Sequence, residues 1–82
     1  MDERNYEVAL MRRVSGGVED DFVSMGFEPA VNYAHARKIA KIKSMEWDAC
    51  DVIMYYRTKS TEYSQCYRET YVKGKNIGRI YF

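Results

Sequence analysis

The clearest periodic pattern of apolar and polar positions along the chain predicts a helix over residues 29–45. Pro29 suits the first helical position, because its missing N–H would be unpaired there in any case. At about 100° per residue, apolar and basic side chains separate onto different faces. Arg37 and Lys41 lie on the basic side, and Lys38 lies at its boundary. The predicted apolar face consists of Val31, Tyr33, His35, Ala36, Ile39, Ala40 and Ile42.

Four other segments have the alternation, or the β-branched and aromatic content, that is typical of strands. They cover residues 6–12, 50–57, 63–72 and 77–82, and turns at 59–61 and 74–76 separate the last three. The resulting order is β-α-β-β-β. We therefore expect a single α+β domain over residues 1–82, with one main helix packed on a mostly antiparallel sheet.

The segment between the first strand and the helix is ambiguous. Its carboxylates at 19–21 suit the first turn of a short helix, where they oppose the positive end of the helix dipole. Val23, Met25 and Phe27 alternate as they would in a strand. We expect a short extra helix near residues 18–25, or an irregular loop.

Composition indicates the cellular compartment and limits the class of protein. The 82 residues include only two cysteines, Cys50 and Cys66, and they are not in Cys-x-x-Cys spacing. We expect reduced, buried thiols and a cytoplasmic protein, because a small secreted domain usually carries more cysteines. No apolar run approaches the ~20 residues that span a bilayer, so we expect no membrane partner. A chain of this size has a thin core, which makes a homodimer a natural expectation.

No motif for a cofactor, a metal or catalysis is recognisable. The acidic patch Glu19, Asp20 and Asp21, like a second set at 46, 48 and 51, lacks the spacing of a calcium loop and suits a solvated surface. The glycines at 74 and 78 lack the spacing of a phosphate-binding loop. His35 is the only histidine, and we expect it to be partly buried on the helix. It is the acid or base that a metal-independent ribonuclease would use.

Charge is distributed unequally along the chain although the total is only +1. The net charge is −4 over residues 1–30, +1 over 31–56 and +4 over 57–82. In the basic C-terminal part, cations alternate with tyrosines, a mixture that holds phosphates and bases and is also enriched at protein interfaces. The predicted partner-binding residues are Tyr55, Arg57, Tyr63, Tyr67, Arg68, Tyr71, Lys73 and Arg79 of the strands, with Arg37 and Lys41 of the helix.

These features favour a small non-enzymatic binding protein that acts through protein–protein contact. An inhibitor or accessory factor of the kind that phages and mobile elements carry is the leading hypothesis. The first alternative is a nucleic-acid-binding module that uses the Tyr/Arg/Lys-rich sheet face and the basic side of the helix. The second alternative is the metal-independent ribonuclease. No cofactor is expected under any of the three.

Overall fold

The computed structural model describes residues 3–16, 19–57 and 64–82. Within these ranges, one helix packs on a five-stranded antiparallel sheet, which confirms the predicted α+β class. The elements are β1 (Glu3–Gly16), β2 (Glu19–Ala30), α1 (Tyr33–Lys43), β3 (Ala49–Arg57), β4 (Ser64–Val72) and β5 (Lys75–Tyr81). The predicted order lacked one strand, since the chain runs β-β-α-β-β-β.

The strands lie side by side in the order β2-β1-β3-β4-β5, and every neighbouring pair is antiparallel. Three of the neighbouring pairs are consecutive in the chain, whereas β1 and β3 pair across the intervening β2 and α1. The acidic N-terminal part of the chain therefore ends at one edge of the sheet, and the basic C-terminal part ends at the other. The uneven charge along the chain becomes a separation of charge across the molecule.

The segment predicted as a short helix or loop is the strand β2. It pairs with β1 along nearly its whole length, from Tyr6 opposite Ala30 to Gly16 opposite Glu19. A bulge at Met25 interrupts this pairing, because Leu10 lies opposite Gly26 and Met11 lies opposite Ser24. Hydrogen bonding to a long neighbouring strand outweighs the weak local preference of the acidic turn for a helix.

The helix begins four residues later than predicted. Asn32 is its N-cap, and the Asn32 side chain accepts a hydrogen bond from the backbone N–H of His35 at 2.8 Å. In return, Nδ1 of His35 accepts a hydrogen bond from the backbone N–H of Val31 at 3.1 Å. Pro29 is the penultimate residue of β2, which is an edge strand, where a residue without an N–H is tolerated. The N-cap decides the start of the helix.

The face that the helix turns toward the sheet is narrower than the predicted apolar face. Ala36 and Ala40 are buried, and Tyr33 and Ile39 are half-buried. Three residues of the predicted face are exposed instead: Val31 (83%), His35 and Ile42 (57%). The two alanines allow the helix backbone to approach the sheet closely, so a narrow stripe is enough to seal this side.

The two faces of the sheet have separate cores. Beneath the helix lie Val8, Leu10, Cys50, Val52 and Tyr71, packed with the helix alanines. On the opposite side lie Ala9, Met11, Ala49 and Ile53, with Tyr55 and Val72 packed against them. No described element covers this second side, which we call the open face. β1 and β3 therefore carry apolar residues on both sides, as strands in the centre of a sheet do.

The turn between β4 and β5 consists of Lys73 and Gly74. Both have positive φ, 49° and 80°, as a two-residue type I′ turn requires. The N–H of Gly74 donates a hydrogen bond to Oγ of Ser44, which follows the helix, at 2.9 Å. A Cβ at position 74 would lie 3.6 Å from the backbone oxygen of Lys41. The turn is thus attached to the C-terminal end of α1.

Both cysteines are free thiols, as expected. Cys50 is fully buried beneath the helix and Cys66 is half-buried. Burial raises the pKa of the Cys50 thiol to about 11, so this thiol stays protonated and unreactive at neutral pH. Among the described residues, no helix has the length and apolar character needed to cross a membrane.

Replacing the N-cap should weaken the fold measurably. Asn32→Ala removes the acceptor for the His35 N–H, and we expect the free energy of unfolding to fall by about 1 kcal/mol. Urea unfolding followed by circular dichroism measures this loss. Asn5→Ala, at an exposed position of β1, is the matched control and should change stability by less than about 0.5 kcal/mol. Equal effects of the two variants would contradict the capping role.

Candidate binding surfaces

A buried carboxylate, Glu69 of β4, organises the helix side of the sheet. Only 3% of Glu69 is exposed. Its Oε1 accepts hydrogen bonds from the hydroxyl groups of Tyr33, at 2.7 Å, and Tyr71. Its Oε2 accepts from Nε and Nη2 of Arg79, at 3.0 and 2.6 Å. One side chain therefore links the helix, its own strand and the edge strand β5.

Electrostatics in this cluster favour the charged form of Glu69. Burial alone would raise the pKa of this carboxyl, but hydrogen bonds from Tyr71, Tyr33 and Arg79 outweigh it and lower the pKa. Burial and the neighbouring carboxylate both raise the pKa of Tyr71, so its hydroxyl remains a donor. The cluster is therefore an ion pair fixed by neutral tyrosines across the physiological range.

Two predicted partner-binding tyrosines belong to this cluster and are buried. Tyr67 and Tyr71 lie on one face of β4, as their spacing indicated, but this face is covered by the helix, and they are only 8% and 0% exposed. Burial raises the pKa of Tyr67 to about 12. The guanidinium of Arg79 lies 4.0 Å from the centre of the Tyr67 ring. Burial keeps both rings from a partner, so neither belongs to the surfaces proposed below.

Arg68, by contrast, lies on the open face, where its charge is satisfied internally. Its Nε lies 3.0 Å from Oδ2 of Asp51, an ion pair that lacks the angle of a hydrogen bond. Oδ1 of Asp51 accepts a hydrogen bond from the hydroxyl of Thr70 at 2.6 Å. Burial, with a hydrogen bond to Glu7, raises the pKa of the half-buried Tyr55 to about 12. These polar groups interact with one another and form a line, which we call the seam, across an otherwise apolar face.

Large apolar side chains stand exposed on the open face, among them Phe27, Ile80 and Phe82. Phe27 of β2 lies opposite Ala9, and Ile80 of β5 lies opposite Arg68, which places both on this side of the sheet. Phe82, two residues beyond Ile80, points to the same side because side chains alternate along an extended chain. Their exposed fractions are 53%, 65% and 71%. They flank the buried centre of the face at its two edges.

The predicted basic residues of the helix and of the β4–β5 turn come together on the helix side. Tyr33 contacts Glu69 of β4, and Ser44 contacts Gly74 of the turn, so Arg37 and Lys41 lie between them on the flank of α1 that faces β4 and β5. Side chains of this flank line a groove of about 410 Å³. The groove residues are Tyr33, Ala34, Arg37, Lys38 and Lys41. We define the basic surface as Arg37, Lys38, Lys41 and Lys73.

The other predicted site residues are either exposed elsewhere or not fully described. Asp21 is exposed on β2, and Glu19 and Asp20 have only their backbone described there. Arg57 ends β3 with an undescribed side chain, and Tyr63 lies outside the described residues. His35 is exposed, and its Nδ1 is used in the helix cap. Among the described residues, no three His, Cys, Asp or Glu side chains form a group that could hold a metal ion.

Sequence reasoning did not select Glu69, Phe27, Ile80 or Phe82. One signal for Glu69 was available: it stands between Tyr67 and Tyr71 at the same side-chain parity, so a carboxylate shares a face with two aromatic rings. No such signal exists for the three apolar residues, because nothing local shows which side of the sheet a helix will cover.

No protein-family model matches the chain, and neither the curated proteins nor the solved structures contain a match. The surfaces described above are therefore interpreted from their own chemistry.

Removing the charge of Glu69 should lower stability in a pH-dependent way. Glu69→Gln leaves Arg79 without its carboxylate, and we expect the free energy of unfolding to fall by about 2–3 kcal/mol at pH 7. This loss is smaller than for a fully buried ion pair, because Arg79 is partly exposed. The pKa of Glu69 is lower in the folded protein than its ordinary value of 4.5, which applies in the unfolded chain. The stabilisation from its charge is therefore fully present at pH values above 4.5, and it is lost as the pH falls through the lower pKa of the folded state. The two proteins should therefore converge in stability at acid pH.

Urea unfolding at several pH values between 3 and 7 checks this convergence. Glu46→Gln, at an exposed position, is the control and should follow the wild type at every pH. A constant stability difference between Glu69→Gln and wild type over the whole range would show that ionisation of Glu69 contributes nothing.

Proposed function

We propose that this protein is a small binding protein that acts by covering the surface of a partner protein with its open face. The observation that carries this proposal is the exposure of Phe27, Ile80 and Phe82 on a side of the sheet that no described element covers. Exposed apolar groups that share one face favour association, because their burial removes apolar area from water.

The dimensions of the sheet support a protein partner. The molecule measures 43 × 26 × 20 Å. Its long axis fits the 14-residue β1 at roughly 3.3 Å per residue, and its second axis fits five strands about 4.8 Å apart. The open face therefore extends over the two longest dimensions. A standard protein interface needs about 800 Å² from each partner, which a face of this size supplies.

The polar groups of the open face support the same conclusion. Burying a charge without a partner is costly, and a docking surface usually loses affinity when it does so. Here Arg68 and Asp51 neutralise each other, and Thr70 donates to the same carboxylate. A partner can cover this seam without having to supply a counter-charge. The apolar residues around it then contribute the affinity.

A protein that works by covering a partner suits the role of an inhibitor or accessory factor. It needs no catalytic group, and its 82 residues suffice to present one rigid face. The two free cysteines favour a reducing compartment, so we place this contact in the cytoplasm.

The test compares substitutions on and off the open face. Phe27→Lys with Ile80→Lys adds two charges to the open face at half-exposed positions, where the effect on folding is small. Val31→Lys with Ile42→Lys adds the same charge at exposed apolar positions away from that face. Tagged wild type and both double variants are used to capture proteins from an extract of the cells that make the protein.

We expect one set of proteins to be recovered with the wild type and with the Val31/Ile42 variant, and to be lost with the Phe27/Ile80 variant. Thermal unfolding of all three verifies that each is folded. Recovery that is insensitive to the open-face substitutions would refute the proposal. The same holds if the wild type recovers nothing beyond an untagged blank.

A further inference from the structure

The basic surface, on the opposite side of the sheet from the open face, concentrates charge that the molecule as a whole does not have. The net charge of the chain is +1, yet four cations stand together on the flank of α1 and on the β4–β5 turn. All four are exposed. None of them forms a salt bridge with another residue in the described ranges. Their charge therefore faces solvent.

The position of Lys73 is built into the fold. The turn is attached to the helix through the Gly74–Ser44 hydrogen bond, and its backbone passes close to the end of α1. This contact sets Lys73 beside Lys41 and extends the row of cations beyond the helix. Lys73 also keeps a positive φ that favours glycine or asparagine, so a lysine here is not what turn geometry alone would select.

The carboxylate that contacts Tyr33 of the groove does not neutralise this surface. Glu69 is buried, and both its oxygens are occupied by Tyr33, Tyr71 and Arg79. Lys43 has an acidic partner, Glu28 at 3.5 Å, but that ion pair lies on the β2 side of the helix. The flank above β4 and β5 therefore keeps its positive potential.

An exposed aromatic ring adjoins the same surface. Tyr81 is 70% exposed and lies opposite Tyr67, on the helix side of β5. Two contacts hold its ring: the Tyr67 ring at a centroid distance of 5.9 Å, and Nη1 of Arg79, which donates to the Tyr81 hydroxyl at 3.1 Å. Arg79 in turn lies 5.6 Å from the Tyr33 ring, which lines the groove. Tyr81 is thus held in place near the Tyr33 end of the groove.

We propose that the basic surface and Tyr81 together bind single-stranded nucleic acid. Cations along a groove hold successive phosphates, and an exposed aromatic ring offers a face on which an unpaired base stacks. An acidic protein would use the cations equally well but would gain little from the ring. The bases of a duplex are stacked on each other and do not reach such a ring. The combination of the two features selects a single strand.

The two surfaces lie on opposite sides of the sheet, so this proposal is independent of the open face. Occupation of one leaves the other accessible. The experiment below uses purified protein and defined oligonucleotides, and it therefore gives an answer whether or not a partner protein binds the open face.

Fluorescence anisotropy of a labelled 12-nucleotide single strand and of a matched duplex, at 50 and 150 mM salt, tests the proposal. We expect the wild type to bind the single strand more tightly than the duplex, and both more weakly at the higher salt. Arg37→Glu with Lys41→Glu should weaken single-strand binding by at least tenfold at 50 mM salt. The same variant should reduce the slope of log K against log salt by about 1.4, equivalent to two phosphate contacts.

Two further variants separate the groove and the ring from net charge. Arg4→Glu with Arg13→Glu makes the same change of charge at exposed positions of β1 that do not line the groove, and should retain most of the affinity. Tyr81→Leu keeps an apolar side chain against Tyr67 but removes the stacking ring. We expect it to weaken single-strand binding by about tenfold and to leave duplex binding nearly unchanged.

Three results would overturn the proposal. The first is no binding of the single strand at 50 mM salt, where electrostatic attraction is strongest. The second is an equal loss in the β1 control variant, which would show that net charge alone matters. The third is binding of polyglutamate as tight as that of the oligonucleotide with no effect of Tyr81→Leu, which would assign the surface to an acidic protein.

Discussion

The hydrogen-bonded ion pair between Glu69 and Arg79 is the interaction on which the architecture of the helix side depends. β5 is an edge strand, and every one of its residues is exposed, so it contributes almost nothing to the core. Besides its ladder with β4 and the contact of the Tyr81 ring with Tyr67, it is held by the guanidinium of Arg79, which bonds to Glu69 and packs over Tyr67. The same carboxylate accepts from Tyr33 of the helix. A single buried charge therefore fixes the helix and an edge strand relative to each other.

This arrangement explains why a domain with so few buried side chains can keep two faces distinct. The helix seals its side with alanines and half-buried rings, and the polar network replaces the apolar contacts that a larger helix would make. Buried polar groups are costly unless every one of them is paired. Here Glu69 has four donors, and the cost of its burial is offset.

Local periodicity was enough to predict the α+β class, the helix and most strands. It failed at residues 19–30, because the carboxylates and Pro29 there suit the start of a helix, whereas pairing with the partner strand β1 determines the structure. It also placed Tyr67 and Tyr71 on one face correctly but could not show that the helix covers that face. β1 is apolar on both sides, with Val8 and Ala9 pointing in opposite directions. Its pattern therefore does not show which side of the sheet the helix covers. The cations at 37, 41 and 73 were selected by charge alone, and only the fold shows that they adjoin.

The order of the strands has a consequence for how the molecule approaches a charged ligand. With the acidic β2 at one edge of the sheet and the basic β5 at the other, the protein has a permanent dipole across its width although its net charge is close to zero. In the field of a polyanion, such a dipole experiences a torque rather than a strong net pull. The molecule therefore rotates its β5 edge toward the ligand before contact, and its acidic edge points into solvent. Orientation of this kind acts over about one Debye length, roughly 8 Å in physiological salt, and so shortens the search for the correct face only during the last steps of the encounter.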